Sequence, residues 1–503
     1  MSAACCGAEA SGFDTSRALF ETVVSFLDGA EAAALSHAEL AERLDTDGRA
    51  LLRRLLADHL ELRAHREARV EVVDAGGVAR GRVESGPGRA LATVFGEVEV
   101  HRLAYRAPGQ ANLHPADGGL NLPEEKHSHG LRRLAAVEAA RGSFDEAAGA
   151  VERATGDRLG KRQVEELTAR TAVDFDDFYA TRKLPPAADP GDVLALSADG
   201  KGIVMRPEAL RPATARAAAK TSPKLATRLS KGEKRNRKRM AELGAVYDAA
   251  PVVGTPADIL SDCGAKRAEV TAGPTASNKW LTASVVEDAA SVVPAIFDEA
   301  ERRDPNHTRA RVALVDGANH QIDRIRAEAK TRGVEVSIIC DFIHVLEYVW
   351  KAAWCFYPEA DPAAEAWVRH QALAVLDGKA TQVAGVIRRK ATTAGLDRAR
   401  RKSADEAASY LTKKARYLDY PTALNNGWPI ATGVIEGACR HIVADRLDIT
   451  GARWGLEGAE AILKLRALRS NKDFHAYWQY HLAQERRRVH ESRYANSIIP
   501  QPA

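Results

Sequence analysis

Two aspartates stand at the ends of stretches that the sequence predicts to be core β-strands. Asp199 follows Asp192-Val-Leu-Ala-Leu-Ser-Ala, and Asp316 follows Arg311-Val-Ala-Leu-Val. Acids at strand ends in an open α/β sheet face the crevice where ligands bind. Carboxylates suit hard divalent cations, and two such cations can stabilise both the attacking and the leaving oxygen of a phosphoryl transfer. The pair therefore indicates metal-dependent phosphate chemistry, although Asp-Gly after a strand is also ordinary turn chemistry.

A third carboxylate, Glu436, lies on a helix that we predict from Gly433 to Arg446. Its neighbours in the sequence are small or apolar, namely Gly433, Val434, Ile435, Gly437 and Ala438. Such small neighbours indicate close approach of another group to that face of the helix. The alternative is an exposed ion pair with Arg440 one turn later, which would contribute only ~0.3–0.5 kcal/mol.

Several segments, taken together and in order, resemble the bacterial DDE insertion-sequence transposases. They are Leu196-Ser-Ala-Asp-Gly-Lys-Gly, Ala313-Leu-Val-Asp-Gly-Ala-Asn, Cys340-Asp-Phe-Ile-His-Val-Leu-Glu-Tyr, Gly433-Val-Ile-Glu-Gly-Ala-Cys-Arg and Thr450-Gly-Ala-Arg-Trp, with Phe95-Gly-Glu-Val and Asn121-Leu-Pro nearer the N-terminus. The resemblance covers most of the chain, and the order is specific although no single piece is. It implies an α/β ribonuclease-H-like catalytic domain with an all-α insertion before the catalytic Glu.

The resemblance also implies roles for individual residues. Asp199, Asp316 and Glu436 would be the catalytic acids and would hold two divalent cations, Mg²⁺ or Mn²⁺. Asp341 and His344 match a (Cys/Asp)-x-x-His element of related transposases, in which His344 would support the catalytic site. Asp341 is the rival of Asp316 as the second acid and could instead be a helix N-cap. His344 could instead be a buried, hydrogen-bonded histidine.

Positive charge is concentrated between Arg216 and Arg239, where ten Lys/Arg and one acid give a net charge of +9, against +4 for the whole chain. Such an excess is typical of a surface that follows phosphates, and also of a solvated loop. The residues that we predict to bind DNA are Lys201, Lys234, Arg235, Arg237, Lys238, Arg239, Arg440, Arg453 and Trp454. Trp454 could stack on an unpaired base or pack in the core.

The order of predicted elements divides the chain into six parts. They are an N-terminal helical region (1–66), a small β unit with a linker (67–124), a helix-turn-helix-like region (125–184), the catalytic domain (185–357 and 428–472), a helical insertion (358–427) and a C-terminal helix with a tail (473–503). In the third part, helices are predicted at Leu131–Ala140, Phe144–Thr155 and Lys161–Thr171, with Ser143 as an N-cap. A DNA-reading helix pair and a plain helical bundle both fit this pattern.

Six scattered cysteines, without the C-x₂-C spacing of a zinc site, are typical of a reducing compartment. The sequence shows neither a secretory signal nor an apolar run of the ~20 residues that a membrane helix needs. We therefore expect a cytoplasmic protein without a membrane partner that joins the nucleoid when bound to DNA.

Together these features predict a transposase that cuts and joins DNA at the ends of an insertion sequence, with element ends and target DNA as partners. The resemblance implies a homodimer or a larger assembly. Two alternatives remain at this stage. One is a stand-alone nuclease or resolvase of the same fold, and the other is a domesticated, catalytically inactive DNA-binding protein.

Overall fold

The computed structural model describes residues 12–182, 189, 191–220, 225, 237–260 and 272–501. The chain divides into two compact units, Met1–Ala180 with Phe474–Ala503, and Thr181–Asp473. The C-terminal segment that the sequence set apart is thus part of the first unit. No described helix is long and apolar enough to cross a membrane.

The first unit contains helices and four short strands. Its elements are α1 (Asp14–Leu27), α2 (Ala30–Ala34), α3 (His37–His65), β1 (Arg82–Ser85), β2 (Arg89–Thr93), β3 (Gly96–Val100), β4 (Leu103–Arg106), α4 (Pro115–Gly119), α5 (His129–Arg141), α6 (Phe144–Thr155), α7 (Lys161–Thr171), α8 (Phe175–Thr181) and, after the second unit, α21 (Phe474–Glu485). β1 pairs with β4 and β2 with β3, both antiparallel, as two separate sheets. In β3 buried Val98 and Val100 alternate with exposed Glu97 and Glu99.

The segment predicted to be a linker before residue 124 is packed. Leu122 belongs to a buried cluster with Leu60, Leu91, Val98 and Val100. A short helix, α4, begins at Pro115, where proline suits the first helical turn because it lacks only an N–H that would have no partner there. The linker prediction was wrong because the few apolar side chains of this segment pack against residues that are distant in the sequence.

The three helices predicted in the third part of the sequence are present as α5, α6 and α7. Ser143 caps α6 and exchanges hydrogen bonds with Glu146 in a capping box. Gly156 ends the same helix with a φ of 79°, a left-handed conformation that glycine adopts at little cost. These boundaries were predictable because caps are local features.

The second unit contains a five-stranded sheet and the helices around it. Its elements are β5 (Val193–Val204), α9 (Pro212–Lys220), β6 (Lys238–Ala249), α10 (Pro256–Ile259), β7 (Ala276–Ser284), α11 (Ala289–Arg303), β8 (Arg311–Val315), α12 (Asn319–Arg332), β9 (Ser337–Cys340), α13 (Phe342–Ala353), α14 (Pro362–Leu376), α15 (Ala380–Thr393), α16 (Lys402–Lys414), α17 (Tyr420–Asn425), α18 (Gly433–Ala438), α19 (Asp445–Leu447) and α20 (Leu456–Ser470). The strand order is β7-β6-β5-β8-β9. β5, β6 and β7 pair antiparallel, whereas β8 and β9 continue parallel to β5.

Helices cover both faces of this sheet. Ala198 pairs with Gly244, and a Cβ on Gly244 would lie 2.7 Å from Ile296 of α11, so α11 lies close against that face. Asp199 is the next residue along β5 and therefore points to the other face, where Cys439 contacts it. Cys439 follows α18 directly. The acid thus lies under the helix that carries Glu436.

Three strand predictions need correction. β5 does not end at Asp199, since it continues to Val204 in an unbroken pairing with β6. β6 begins at Lys238, inside the basic run. β7 was not predicted, and α11 follows it from Ala289.

The predicted helical insertion is helical, as α14 to α17. α16 packs against α15 and also against α13, the helix that follows β9 directly. This packing brings the end of the insertion back to the sheet edge where β8 and β9 end.

Candidate active site

Asp199 lies in the middle of β5, the central strand, opposite Leu243 of β6. The backbone N–H of Gly200 donates to its Oδ1 at 2.7 Å, and the thiol of Cys439 donates to its Oδ2 at 3.3 Å. These two donors fix the orientation of the carboxyl group. Cys439 was not predicted as a site residue, although its position three residues after Glu436 places it on the same helical segment.

Asp316 directly follows β8, the strand next to β5 and the fourth of this sheet along the chain. Its Oδ1 accepts a hydrogen bond of 2.7 Å from the N–H of Ala318, and its backbone carbonyl accepts one of 2.9 Å from the Tyr410 hydroxyl. Gly317 has a φ of 96°, which a residue with a Cβ rarely adopts. Hydrogen bonds to the side chain and to the backbone of Asp316 therefore fix the loop that carries it.

Glu436 is exposed on α18, and its Oε1 lies 3.0 Å from the hydroxyl of Thr432. The same hydroxyl contacts Asp341, so Thr432 connects the two carboxyl groups. A π-helical turn, Cys439–Ala444, follows α18. Such turns within helices are frequent at functional sites.

The carboxyl groups affect one another electrostatically. Burial raises the pKa of Asp199, and the nearby charges of Asp316 and Glu436 raise it further, against the hydrogen bonds from Gly200 and Cys439. Burial also raises the pKa of Asp341, where Glu436 adds to the effect. All three predicted acids are therefore close enough to interact, although they come from a strand, a loop and a helix.

Glu242 is an acid on β6 that was not predicted, and strand alternation places its side chain on the opposite face of the sheet from that of Asp199. It pairs with Gly200 across β5 and β6. Burial raises the pKa of Glu242, His320 opposes this shift, and Asp199 adds to it. Glu242 is only partly buried, between buried Ala241 and Leu243.

Asp341 serves as the N-cap of α13, which was the alternative left open for it. It is 1% exposed, and its Oδ1 accepts a hydrogen bond of 2.9 Å from the N–H of Ile343. Asp316, by contrast, is only partly buried and acts directly on Asp199. Asp316 therefore remains our prediction for the second acid.

We expect Asp316→Asn to abolish Mn²⁺ binding at this site and Asp341→Asn to retain it within about tenfold, because Asn preserves an N-cap. Electron paramagnetic resonance of Mn²⁺ titrated into each variant measures the effect. Equal losses in both variants would contradict the assignment of Asp316 over Asp341.

His344 is partly buried on α13, with its ring edge-on to Tyr348 at 5.9 Å between centroids. Within the described part of the chain, no hydrogen bond or ion pair connects it to Asp199, Asp316 or Glu436. A supporting role for His344 thus remains a prediction without a contact to the acids.

The predicted DNA-binding residues have different surroundings. Arg237, Arg440 and Arg453 are exposed, and Lys201 is partly buried two residues after Asp199 on the same face of β5. Lys234 and Arg235 lie outside the described residues.

Arg239 and Lys238 are engaged within the protein. The Arg239 guanidinium donates to the carbonyl groups of Val285, Ala209 and Val286, at 2.6, 3.2 and 3.2 Å. Lys238 forms an ion pair of 3.0 Å with Asp448. Their predicted role on DNA phosphates is therefore not supported, because both residues hold the start of β6 in place.

Trp454 is 5% exposed, so in this structure it packs in the core, the second of the two alternatives. Its backbone bridges the end of β5 at Met205, and its indole N–H donates to the Leu447 carbonyl at 3.0 Å. The Arg446 guanidinium lies over its ring at 4.6 Å. The predicted stacking on a base is corrected accordingly.

The acids fit divalent cations by the chemistry of their donors, which are carboxylate oxygens. Their mutual repulsion at Asp199 is the kind that a cation relieves. As arranged here, however, no group of three His, Cys, Asp or Glu side chains among the described residues lies at the spacing of a metal site.

No protein-family model matches this chain, and no curated protein matches it in sequence. Support for a function therefore comes from the motifs and from the geometry of the acids.

Proposed function

We propose that this chain is a metal-dependent DNA transposase with a ribonuclease-H-like catalytic domain. Asp199, Asp316 and Glu436 would hold two divalent cations, Mg²⁺ or Mn²⁺. The observation that carries the proposal is geometric. Asp199 lies on β5, Asp316 directly follows the adjacent parallel strand β8, and Cys439, three residues after Glu436, donates to Asp199. A purely structural set of turn residues would have no reason to converge in this way.

The arrangement of the sheet supports the proposal. The first acid lies on the central strand β5, the second follows the adjacent parallel strand β8, and the third is on a helix after a helical insertion. This is the order that the resemblance to DDE transposases implies. Asp316, which follows the carboxyl end of β8, lies where open α/β sheets bind ligands.

When bound, the cations would activate the attacking oxygen and stabilise the leaving oxygen of the cut strand. The protein holds the ligands for this task. Gly200 and Cys439 orient the Asp199 carboxyl group, and Ala318 orients that of Asp316. Arg440, exposed one turn after Glu436, would meet a phosphate of the DNA. Because the reaction joins two element ends to a target, we expect a dimer or a larger assembly.

The test is Mg²⁺-dependent cleavage and joining of a labelled DNA fragment that carries the flanks of the protein's own gene. We expect Glu436→Gln to bind this DNA normally and to cut and join ~10³-fold more slowly, because a metal ligand loses its charge. The matched control is Glu347→Gln, an exposed glutamate on α13 that pairs with Lys351. Its activity should equal that of the wild type.

Each of the other outcomes would indicate a different function for this protein. Cutting without joining by the wild type would indicate a stand-alone nuclease. Binding without metal-dependent cutting would indicate a DNA-binding protein that has lost catalysis. Equal activity of Glu436→Gln and the wild type would overturn the assignment of the third acid.

A further inference from the structure

A cleft of about 560 Å³ lies beside the loop that carries Asp316. One wall is formed by Tyr348 of α13, and the other by residues of α16 and of the turn before it. Four cations line it, namely Arg398, Lys402, Lys413 and Lys414. Neither the sequence motifs nor the proposed mechanism assigns this cleft a role.

Two hydrogen bonds tie the cleft to the candidate active site. The Tyr410 hydroxyl donates to the backbone carbonyl of Asp316 at 2.9 Å, and Lys414 donates to the side chain of Asn319 at the start of α12. A Cβ on Gly317 would lie 2.7 Å from the Tyr410 hydroxyl, which shows how closely α16 approaches the loop. The separation between the cleft and Asp316 is therefore fixed by the fold.

Tyr410 also belongs to the wall of the cleft, where its ring stacks on that of Tyr348 at 4.2 Å between centroids. This stacked pair connects α13 to α16 beside the loop that carries Asp316. The two tyrosine rings therefore cover one face of each other. Lys351 of α13 also lies over the Tyr348 ring, 5.0 Å from its centroid. The polar groups that remain for a ligand are chiefly the cations.

The charge of the cleft is opposite to that of the acids next to it. Its two acids are already partnered, Asp405 by Arg401 at 2.9 Å and Glu406 by Lys402 at 3.8 Å. Among the described residues, neither Arg398 nor Lys413 has a carboxylate within ion-pair distance. Positive charge directly beside a carboxylate cluster suits a polymer that brings one phosphate to the acids and the next phosphates to the cations.

We propose that this cleft binds one strand of DNA through its phosphates, next to the phosphate that reacts at Asp199, Asp316 and Glu436. The inference rests on the proposed function and adds the path of the strand to it. The volume of about 560 Å³ lies in the ~300–1,000 Å³ range of pockets for small molecules, which is enough for a nucleotide or two of a single strand. Arginine and lysine are the side chains that neutralise phosphates.

The experiment measures binding of a fluorescein-labelled single-stranded 20-nucleotide DNA of mixed sequence by fluorescence anisotropy, with EDTA present and at several salt concentrations. The cleft variant is Lys402→Ala with Lys413→Ala. Both lysines are exposed on α16, where alanine is a good helix former, so the variant should fold. The matched control is Lys330→Ala with Lys379→Ala, which removes two exposed lysines outside the cleft.

We expect the cleft variant to bind roughly tenfold more weakly near 0.1 M salt and to lose about 1.4 from the slope of log K against log salt, since each single-strand phosphate contact contributes about 0.7. The control should bind like the wild type, and Lys402→Arg with Lys413→Arg should restore most of the affinity.

The remaining outcomes separate the two proposals. If the wild type cuts DNA with Mg²⁺ while the cleft variant binds the strand as tightly as the wild type, the cleft inference fails and the proposed function stands. If the wild type cuts no DNA but the cleft variant loses strand binding, the proposed function fails and the cleft still binds DNA. If a deoxynucleoside monophosphate competes with an affinity equal to that of the single-stranded DNA, the cleft is a mononucleotide site and the proposal of strand binding is wrong.

Discussion

Asp199→Asn is expected to slow Mg²⁺-dependent DNA cleavage by ~10³-fold or more and, without metal, to raise the melting temperature at pH 7. The loss of activity follows because the central acid would no longer attract cations, and about 4 kcal/mol of transition-state stabilisation corresponds to that factor. The gain in stability follows from the position of Asp199. It is partly buried between other acids, so its charge is unfavourable when no cation is present.

The contribution of Asp199 to the free energy of unfolding depends on pH, and the sign of that dependence follows from its raised pKa. Because burial and the neighbouring acids raise the pKa of Asp199 in the folded state, folding favours its protonated form. The contribution to stability is therefore largest at low pH, and it is lost as pH rises from the unfolded pKa through the raised folded value. In Asp199→Asn this part of the pH dependence disappears.

The substitution preserves the local hydrogen bonds. The Asn oxygen can accept from the N–H of Gly200, while its NH₂ faces the Cys439 sulfur, which is a weak acceptor. Thermal unfolding with EDTA and with Mg²⁺ measures the effect on stability. The control is Asp323→Asn, an exposed aspartate on α12, which should change neither property.

Bound cations would stabilise the folded wild type by about 2.7 kcal/mol at a metal concentration 100 times the Kd, and Asp199→Asn should lose most of this gain. An Asp199→Asn protein that is less stable than the wild type in EDTA would show that the carboxylate serves the fold. The acids would then not be a cation site.

The parts of this fold that sequence could predict depend on local signals. β8 is a run of five buried residues followed by Asp-Gly, and its bounds agree with the prediction. α6 begins and ends at its capping residues. In both cases the residues that set the boundary are neighbours in the chain, so no knowledge of distant contacts was needed.

The errors arose where distant pairing decides the structure. The Asp-Gly at residue 199 suggested a turn, but the chain stays extended because residues 200–204 pair with residues 238–242 of β6. β7 contains Asn278 and Lys279, which are exposed, and its strand character depends on pairing with β6. Helix and strand propensities could not detect either partner.

The candidate site shows the same division. Asp199, Asp316 and Glu436 could be proposed from motifs, whereas Cys439 is placed beside Asp199 by helix packing. Trp454 looked like a DNA contact because it is a large aromatic residue beside Arg453. Its burial follows from a backbone bridge to β5, roughly 250 residues earlier in the chain.

Arg132→Met is expected to destabilise the first unit by about 3–5 kcal/mol, since it removes one partner from a buried ionic network. Arg132 is 1% exposed on α5 and donates to Glu485 of α21 at 2.7 Å and to Glu125. Its guanidinium also lies 3.1 Å from the ring of His481. Without it, Glu125 and Glu485 would be left as poorly compensated charges in a region that water does not reach easily.

The network extends to Asp174, which binds His481 at 2.6 Å and Arg488 at 3.0 Å. Although burial opposes the shift, these hydrogen bonds lower the pKa of Asp174 to about 2. Burial likewise opposes the lowered pKa of Glu485, which Arg488 and Arg132 bring about. For such acids the stability is present above the unfolded pKa and is lost as pH falls through the folded value.

Amide hydrogen exchange in α5 and α21 measures the opening free energy of this unit without assuming that the whole chain unfolds in one step. The difference between wild type and Arg132→Met should be largest at pH 7 and should shrink as the acids take up protons. Arg141→Met, which removes an exposed arginine from the same helix, should change the opening free energy by under ~0.5 kcal/mol. A loss that is the same at every pH would mean that Arg132 stabilises α5 and α21 by packing, and that its charge contributes nothing.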